Sequence, residues 1–251
     1  MPTDHEERDE NGRLISRFQM EEGNLHGEFV QYGETEEQIL RRMTYKEGKL
    51  HGLSFTFDET GREVERSMFA EGVLHGETKL YDENGKLSQV TTFVKGQQHG
   101  PTRIYEDGKL RTAMMFEKGK QHGPFISYDE FGQEVVKNFY KNGKLEGESL
   151  ITDGRGKTLR KAMYRADKLQ GEVLEYHLNG EVRERATYED GRKHGEVFTY
   201  DENGTMRSKG TYRDGQLRGE LLEYDENGAM KVKDEKKGSF FDKVVNKLAG
   251  S

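Results

Sequence analysis

The chain has 251 residues, 31% hydrophobic and 35% charged, with a formal net charge of -7 and no cysteine. Such a composition is thin for a thick globular core, its acidic balance argues against nucleic acid or an anionic membrane surface as partner, and the missing cysteine excludes disulfides and Cys-ligated metal sites. Tyrosines and phenylalanines are spaced regularly instead of being depleted, so disorder is a poor reading of the body.

The opening "MPTDHEERDENG" has neither the basic nor the apolar region of a secretory signal. No apolar run approaches the roughly 20 residues of a membrane span, so integral membrane insertion is not expected and a cytoplasmic protein is. Residues 1–11 read as an N-terminal tail. The following "NGRLISRFQMEEG" starts in mid-unit, with Met20 in a slot that later copies fill with an aromatic. This half-repeat is expected to cap the sheet edge.

From there one pattern returns. The glycine that closes "LHG" recurs at Gly27, Gly52, Gly76, Gly100, Gly123, Gly147, Gly171, Gly195 and Gly219, with steps of 24 residues apart from a single 25 and a single 23. Four residues earlier stands another glycine in almost every copy, and the seventh copy has Asp167 there. Aspartate is among the few residues that tolerate a left-handed backbone, so the position demands positive φ. A third glycine series mostly ends "DENG" or a similar acidic, turn-rich string, and Asn-Gly is the strongest short hairpin signal.

Two strand-sized runs separate these turns. One leads from the "HG" glycine to an aromatic five positions on, as in Phe57, Tyr81, Tyr105 and Tyr128; the other leads from the "NG" glycine to an aromatic eight on, as in Phe69, Phe93 and Phe116. Each unit therefore reads as one β-hairpin, too small to bury its apolar face alone and stacked on its neighbours through a shared aromatic ladder. Residues 12–232 are predicted to form an all-β, elongated antiparallel β-hairpin repeat array of about nine 24-residue copies.

The pattern "Y-x-x-G-K-L-H-G-E-x-x-x-Y-D-E-N-G" resembles the MORN repeat in its bacterial variant form. That resemblance implies a non-enzymatic binding scaffold, monomeric and without cofactor. Its leading implication is an antitoxin or immunity protein that covers a cognate toxin or effector protein and blocks it sterically. Its runner-up is a scaffold or adaptor that loads or localises a partner protein.

Residues 233–251 break the pattern. In "GSFFDKVVNKLAGS", Phe240, Phe241, Val244, Val245 and Leu248 share one helical face, which predicts a short C-terminal amphipathic helix. It either caps the last hairpin or contacts a partner or a membrane surface.

Histidines 26, 51, 75, 99, 122 and 194 fill one repeat slot that Glu146, Gln170 and Arg218 fill elsewhere. Equivalent atoms of a stacked array lie about 10 Å apart, too far to share a metal, so the slot reads as structural. The acidic turns lack the ligand register of a calcium loop, and "GRGKT" at 154–158 lacks the first glycine of a phosphate loop. A catalytic site needs unlike residues in one non-repeating place. With none in view, no catalytic, metal or cofactor residue is assigned and binding is expected.

The residue three after the "HG" glycine is apolar in most copies, yet copies three and four carry Lys79 and Arg103, beside Tyr81 and Tyr105. These four residues, with Tyr128 of the next copy, are the candidate partner-binding patch, since Arg and Tyr are favoured interface anchors.

Overall fold

The computed structural model describes residues 1–231; the predicted C-terminal helix with Phe240, Phe241, Val244, Val245 and Leu248 lies outside the described residues. Two compact units divide the chain, Met1–Lys168 and Leu169–Ser251. Every described regular element is a β-strand.

The first unit opens with β1 (Thr3–Arg8), in the stretch read as a tail, followed by β2 (Leu14–Glu21), β3 (Asn24–Tyr32), β4 (Ile39–Lys46) and β5 (Lys49–Phe57). It continues through β6 (Glu63–Ala70), β7 (Val73–Tyr81), β8 (Leu87–Val94), β9 (Gln97–Glu106) and β10 (Lys109–Glu117). Its last strands are β11 (Lys120–Tyr128), β12 (Glu134–Lys141), β13 (Lys144–Leu145), β14 (Gly147–Thr152) and β15 (Thr158–Arg165). The second unit holds β16 (Lys168–Tyr176), which begins at the residue before the division, then β17 (Val182–Glu189), β18 (Arg192–Tyr200), β19 (Met206–Arg213) and β20 (Gln216–Glu223). Within each unit, strands pair antiparallel with their neighbours in the chain.

The two kinds of connection are chemically distinct. Two-residue turns fall at the second glycine series: Glu47 and Gly48 have φ of 50° and 76°, both left-handed, which defines the type I′ turn that suits strand twist. Asp167 meets the same demand at φ 71°, and its carboxylate accepts the Leu145 amide at 2.7 Å. Each such turn also ties a hairpin to the one before it, as the Gly48 amide donates to the Leu25 carbonyl at 2.8 Å and the Asp167 amide to Leu145 at 3.0 Å.

The "DENG" segments, expected to be the tight hairpin turns, are instead five-residue loops. In the loop 58–62, Asp58 Oδ1 accepts the amides of Thr60 and Arg62 at 2.9 and 3.0 Å, and the Gly61 amide donates to the Asp58 carbonyl at 2.9 Å. The carboxylate supplies acceptors that a wider loop lacks in its own backbone. Both departures from the 24-residue step arise here. A six-residue connection, 33–38, follows β3, and in the fourth copy the loop shrinks to the two-residue turn Asp107-Gly108 between β9 and β10.

The two aromatic series also separate. Gly52 stands opposite Phe69 across β5 and β6, while Phe57 lies five residues beyond Gly52 in a strand whose side chains alternate. Phe57 and Phe69 thus face opposite sides of the sheet, and a single shared ladder is not formed. Ring contacts are local: His5, Phe18, Phe29 and Tyr45 follow one another at 5.6, 5.9 and 6.0 Å, and Phe55 lies 6.4 Å from Phe57 within one strand.

Most of the buried residues lie in a row on the Phe69 side, while Val30 and Val90, 2% and 6% exposed, are buried on the opposite face. In the first unit the row includes Ser67, Thr91, Thr102, Ser149 and Ala162, in the second Val173, Ala186, Val197 and Gly210. Cross-strand pairing joins them, as in Val173 to Ala186 to Val197 to Gly210. The residues are small, and the larger side chains of the flanking rows cover them. A Cβ on Gly210 would meet Leu217 and Leu221 methyls at 2.9 and 3.1 Å, so the row is already close-packed there.

Candidate functional site

On the other face the middle row has a different chemistry. Reading across the first unit by register, it runs Arg17, Val30, Arg42, Phe55, Arg66, Lys79, Val90, Arg103, Ala113, Ile126, Lys137, Leu150, Lys161. The second unit repeats it as Leu174, Arg185, Phe198, Lys209, Leu222. Cation and apolar residue alternate strand by strand, with two slips of phase: Arg66 and Lys79 adjoin, and so do Ala113 and Ile126. Lys79 and Arg103, odd in sequence because they stand where other copies are apolar, are the stretch in which the two roles are exchanged.

The row therefore contains Lys79 and Arg103, each paired across the sheet with Val90. Tyr81 and Tyr105 follow two residues along the same strands, and so lie on the same face. Tyr128 holds the equivalent place on β11, beyond Ile126. All five sequence-selected residues share one face. Missed were the cations of the partner strands, Arg17, Arg42, Arg66, Lys137 and Lys161. They occupy the fifth position after the "NG" glycine or its equivalent, and their recurrence was the available signal.

Most of these cations have a carboxylate close by. Arg42 pairs with Glu28 at 3.5 Å, Lys79 with Glu77 at 3.3 Å, Lys161 with Glu148 at 2.8 Å and Lys209 with Glu196 at 2.5 Å. The acids all stand directly after an "HG" glycine. Arg66 uses Glu63 instead, at 2.8 and 2.9 Å, and lies 5.3 Å from the Phe55 ring centre. The hydrogen bond to Glu63 raises the Arg66 pKa. Burial raises the Tyr81 pKa beside it, and the Glu63 charge adds to that rise. In the second unit, Arg185 and Lys209 lie over Phe198 at 4.8 and 5.3 Å, contacts by which a ring's negative face attracts a cation.

The histidine slot is structural in the copies where its partners are visible. Glu146 Oε2 accepts the Ala166 amide at 2.9 Å and Gln170 Oε1 accepts the Asp190 amide at 3.3 Å, each bonding a residue of the next two-residue turn. His26, His122 and His194 place Nδ1 at 3.4 to 3.5 Å from the glutamate that ends the preceding strand. Among the described residues, no group of three or more His, Asp or Glu is placed to hold a metal ion.

A cleft of about 800 Å³ opens on the small-residue face near the first loop, with Arg13, Ser16, Gln31, Gln38 and Arg41 in its lining. Ser16 donates to Glu7 at 3.0 Å, and Gln38 accepts the Glu34 amide at 2.7 Å, so these groups are engaged in holding the loop and the sheet edge.

Four segments, residues 74–95, 135–152, 169–190 and 193–214, match the family described as the MORN repeat variant. Three of them span parts of two strands and the five-residue loop between them, as in β7 to β8 and β16 to β17, whereas 135–152 spans β12, the two-residue turn after it, β13 and β14. Repeats of this family are generally protein-binding or membrane-binding. No curated protein matches the chain. Among solved structures, a Tc holotoxin pore of Photorhabdus luminescens aligns at 10% identity and a TM-score of 0.23, over 90% of this chain and 14% of that one. A TcdB2, TccC3 and Cdc42 structure aligns at 11% identity and 0.21, over 89% and 14%. The chain thus spans about 14% of the length of either, and at such scores the likeness carries no argument. No helix among the described residues is long and apolar enough to cross a membrane.

Proposed function

We propose that this is a non-catalytic protein-binding chain which neutralises a cognate protein sterically, as an antitoxin or immunity protein does. The observation that carries the reading is the row of alternating cations and apolar side chains, one residue per strand, in the middle of a sheet face. Interfaces are built from apolar anchors ringed by polar groups, with Arg and Tyr enriched, and this face sets its cations beside partly exposed Phe55, Ile126 and Leu150, while Val30 and Val90 of the row are buried. Steric inhibition needs only such a complementary surface.

The test is affinity purification of the full chain from its native host with mass spectrometry, followed by assay of the recovered protein. One enzyme or toxin that loses activity on adding the chain supports the proposal. Recovery of structural or secretory components whose activity is unaffected overturns it in favour of an adaptor.

A further inference from the structure

The carboxylate that neutralises the cationic row is absent from three copies, two of them consecutive. The residue after the "HG" glycine is Glu28, Glu77, Glu148, Glu172, Glu196 or Glu220 in six copies, Leu53 in the second, and Pro101 and Pro124 in the fourth and fifth. Between those copies the row carries Arg103 on β9 and Lys137 on β12. Both are exposed, and neither makes an ion pair or side-chain hydrogen bond among the described residues. Around them the face is apolar. Ala113 and Ile126 lie between the two cations by register, Pro124 stands opposite Phe139, and Phe139 is 43% exposed.

The prolines fit because the backbone amide at this position is not used by the strand ladder. In the first copy the Glu28 amide donates to the side chain of Gln19 at 3.2 Å, across the irregular stretch between β2 and β3. Removing that N–H therefore breaks no strand pairing.

We infer that the face of β9 to β12 binds an acidic segment of a partner protein, one with two carboxylates flanking an apolar centre. This deepens the binding proposal and rests on it. In a chain of net charge -7, an anionic partner needs a place where the cations are not already neutralised, and Arg103 and Lys137 provide it. Three strand spacings separate them, roughly 14 Å. Two carboxylates eleven residues apart on a helix share a face and lie about 16 Å apart, with apolar residues at the fourth and seventh positions falling over Ala113 and Ile126.

The test uses the full chain and fluorescence anisotropy with three probes. These are a labelled helical peptide bearing two glutamates eleven residues apart with leucines at the fourth and seventh positions, the same peptide with lysine for glutamate, and vesicles of phosphatidylserine and phosphatidylcholine. Expected is saturable binding of the acidic peptide alone, weakened at least tenfold in Arg103→Ala with Lys137→Ala. The control Lys86→Ala, whose lysine pairs with Asp107 at 2.9 Å in the loop between β7 and β8, keeps its affinity, and circular dichroism reports the fold of each variant. Absence of acidic-peptide binding, equal binding of the lysine peptide, preference for vesicles, or full affinity in the folded double variant each overturns the inference. If a native partner is still captured and inhibited in those cases, the functional proposal stands without this site.

Discussion

Pro124 stands directly opposite Phe139, at the place where the next hairpin sets Glu148 opposite Met163. The exchange removes an acid and leaves Lys137 without a counter-charge, whereas Arg42, Lys79 and Lys161 of the same row are each paired with a glutamate. Pro124→Glu should restore that acid. The expected outcome is a several-fold loss of affinity for an acidic partner peptide with an unchanged melting midpoint, because the proline amide position is outside the ladder. Pro124→Gln should leave binding intact, and anisotropy titration with thermal melts distinguishes the two.

Asp167 offers a test of the turn chemistry. At φ 71° a β-branched residue is strained, so Asp167→Val should destabilise the first unit by about 1–2 kcal/mol. It would also lose the bond to the Leu145 amide. Urea unfolding followed by circular dichroism measures the change.

Gly210 tests the packed row. Gly210→Val places methyl groups against Leu217 and Leu221, where even a Cβ is within 2.9 Å of a neighbour. Overpacking of that kind should cost about 1–3 kcal/mol. Ser208→Val, two residues away in the same strand, removes the 2.6 Å hydrogen bond between the Ser208 and Thr199 hydroxyls and should cost about 1 kcal/mol. Paired urea midpoints give the comparison.

The loop aspartates predict acid sensitivity. The side-chain hydrogen bond from Thr60 lowers the Asp58 pKa against the opposing effect of burial, and backbone amides lower those of Asp9 and Asp153, from Arg13 and Arg155 respectively. A carboxyl that is more acidic in the folded chain stabilises fully above its unfolded pKa, near 4, and that stabilisation is lost as pH falls through the folded value. Melting midpoints should therefore hold from neutral pH to about 4 and decline below it. Asp58→Asn should flatten the decline.

The repeat and its strands were legible because glycine and Asp167 mark backbone positions that few residues can occupy. The assignment of faces was not. Phe57 and Phe69 look equivalent as periodic aromatics, and only the register that sets Gly52 against Phe69 puts them on opposite sides. The cationic row was hidden for the same reason. Arg66, Lys79, Val90 and Arg103 are neighbours in space but alternate between two positions of the repeat in sequence. Lys79 and Arg103 were visible as exceptions to one position, whereas Arg66 and Lys137 obeyed the other and so raised no contrast. Which loop was tight also escaped reading, since Asn-Gly suits a two-residue turn equally well. The deciding element was Asp58, whose carboxylate closes a wider loop.

The residue after each "HG" glycine is glutamate, leucine or proline from copy to copy, with its amide free of the ladder and its side chain away from the buried row. Such a position can change without disturbing how hairpins are built or stacked. Nine of them occur from Glu28 to Glu220, one in each copy of the repeat. A lineage could thereby retarget the molecule one hairpin at a time while inheriting the same architecture.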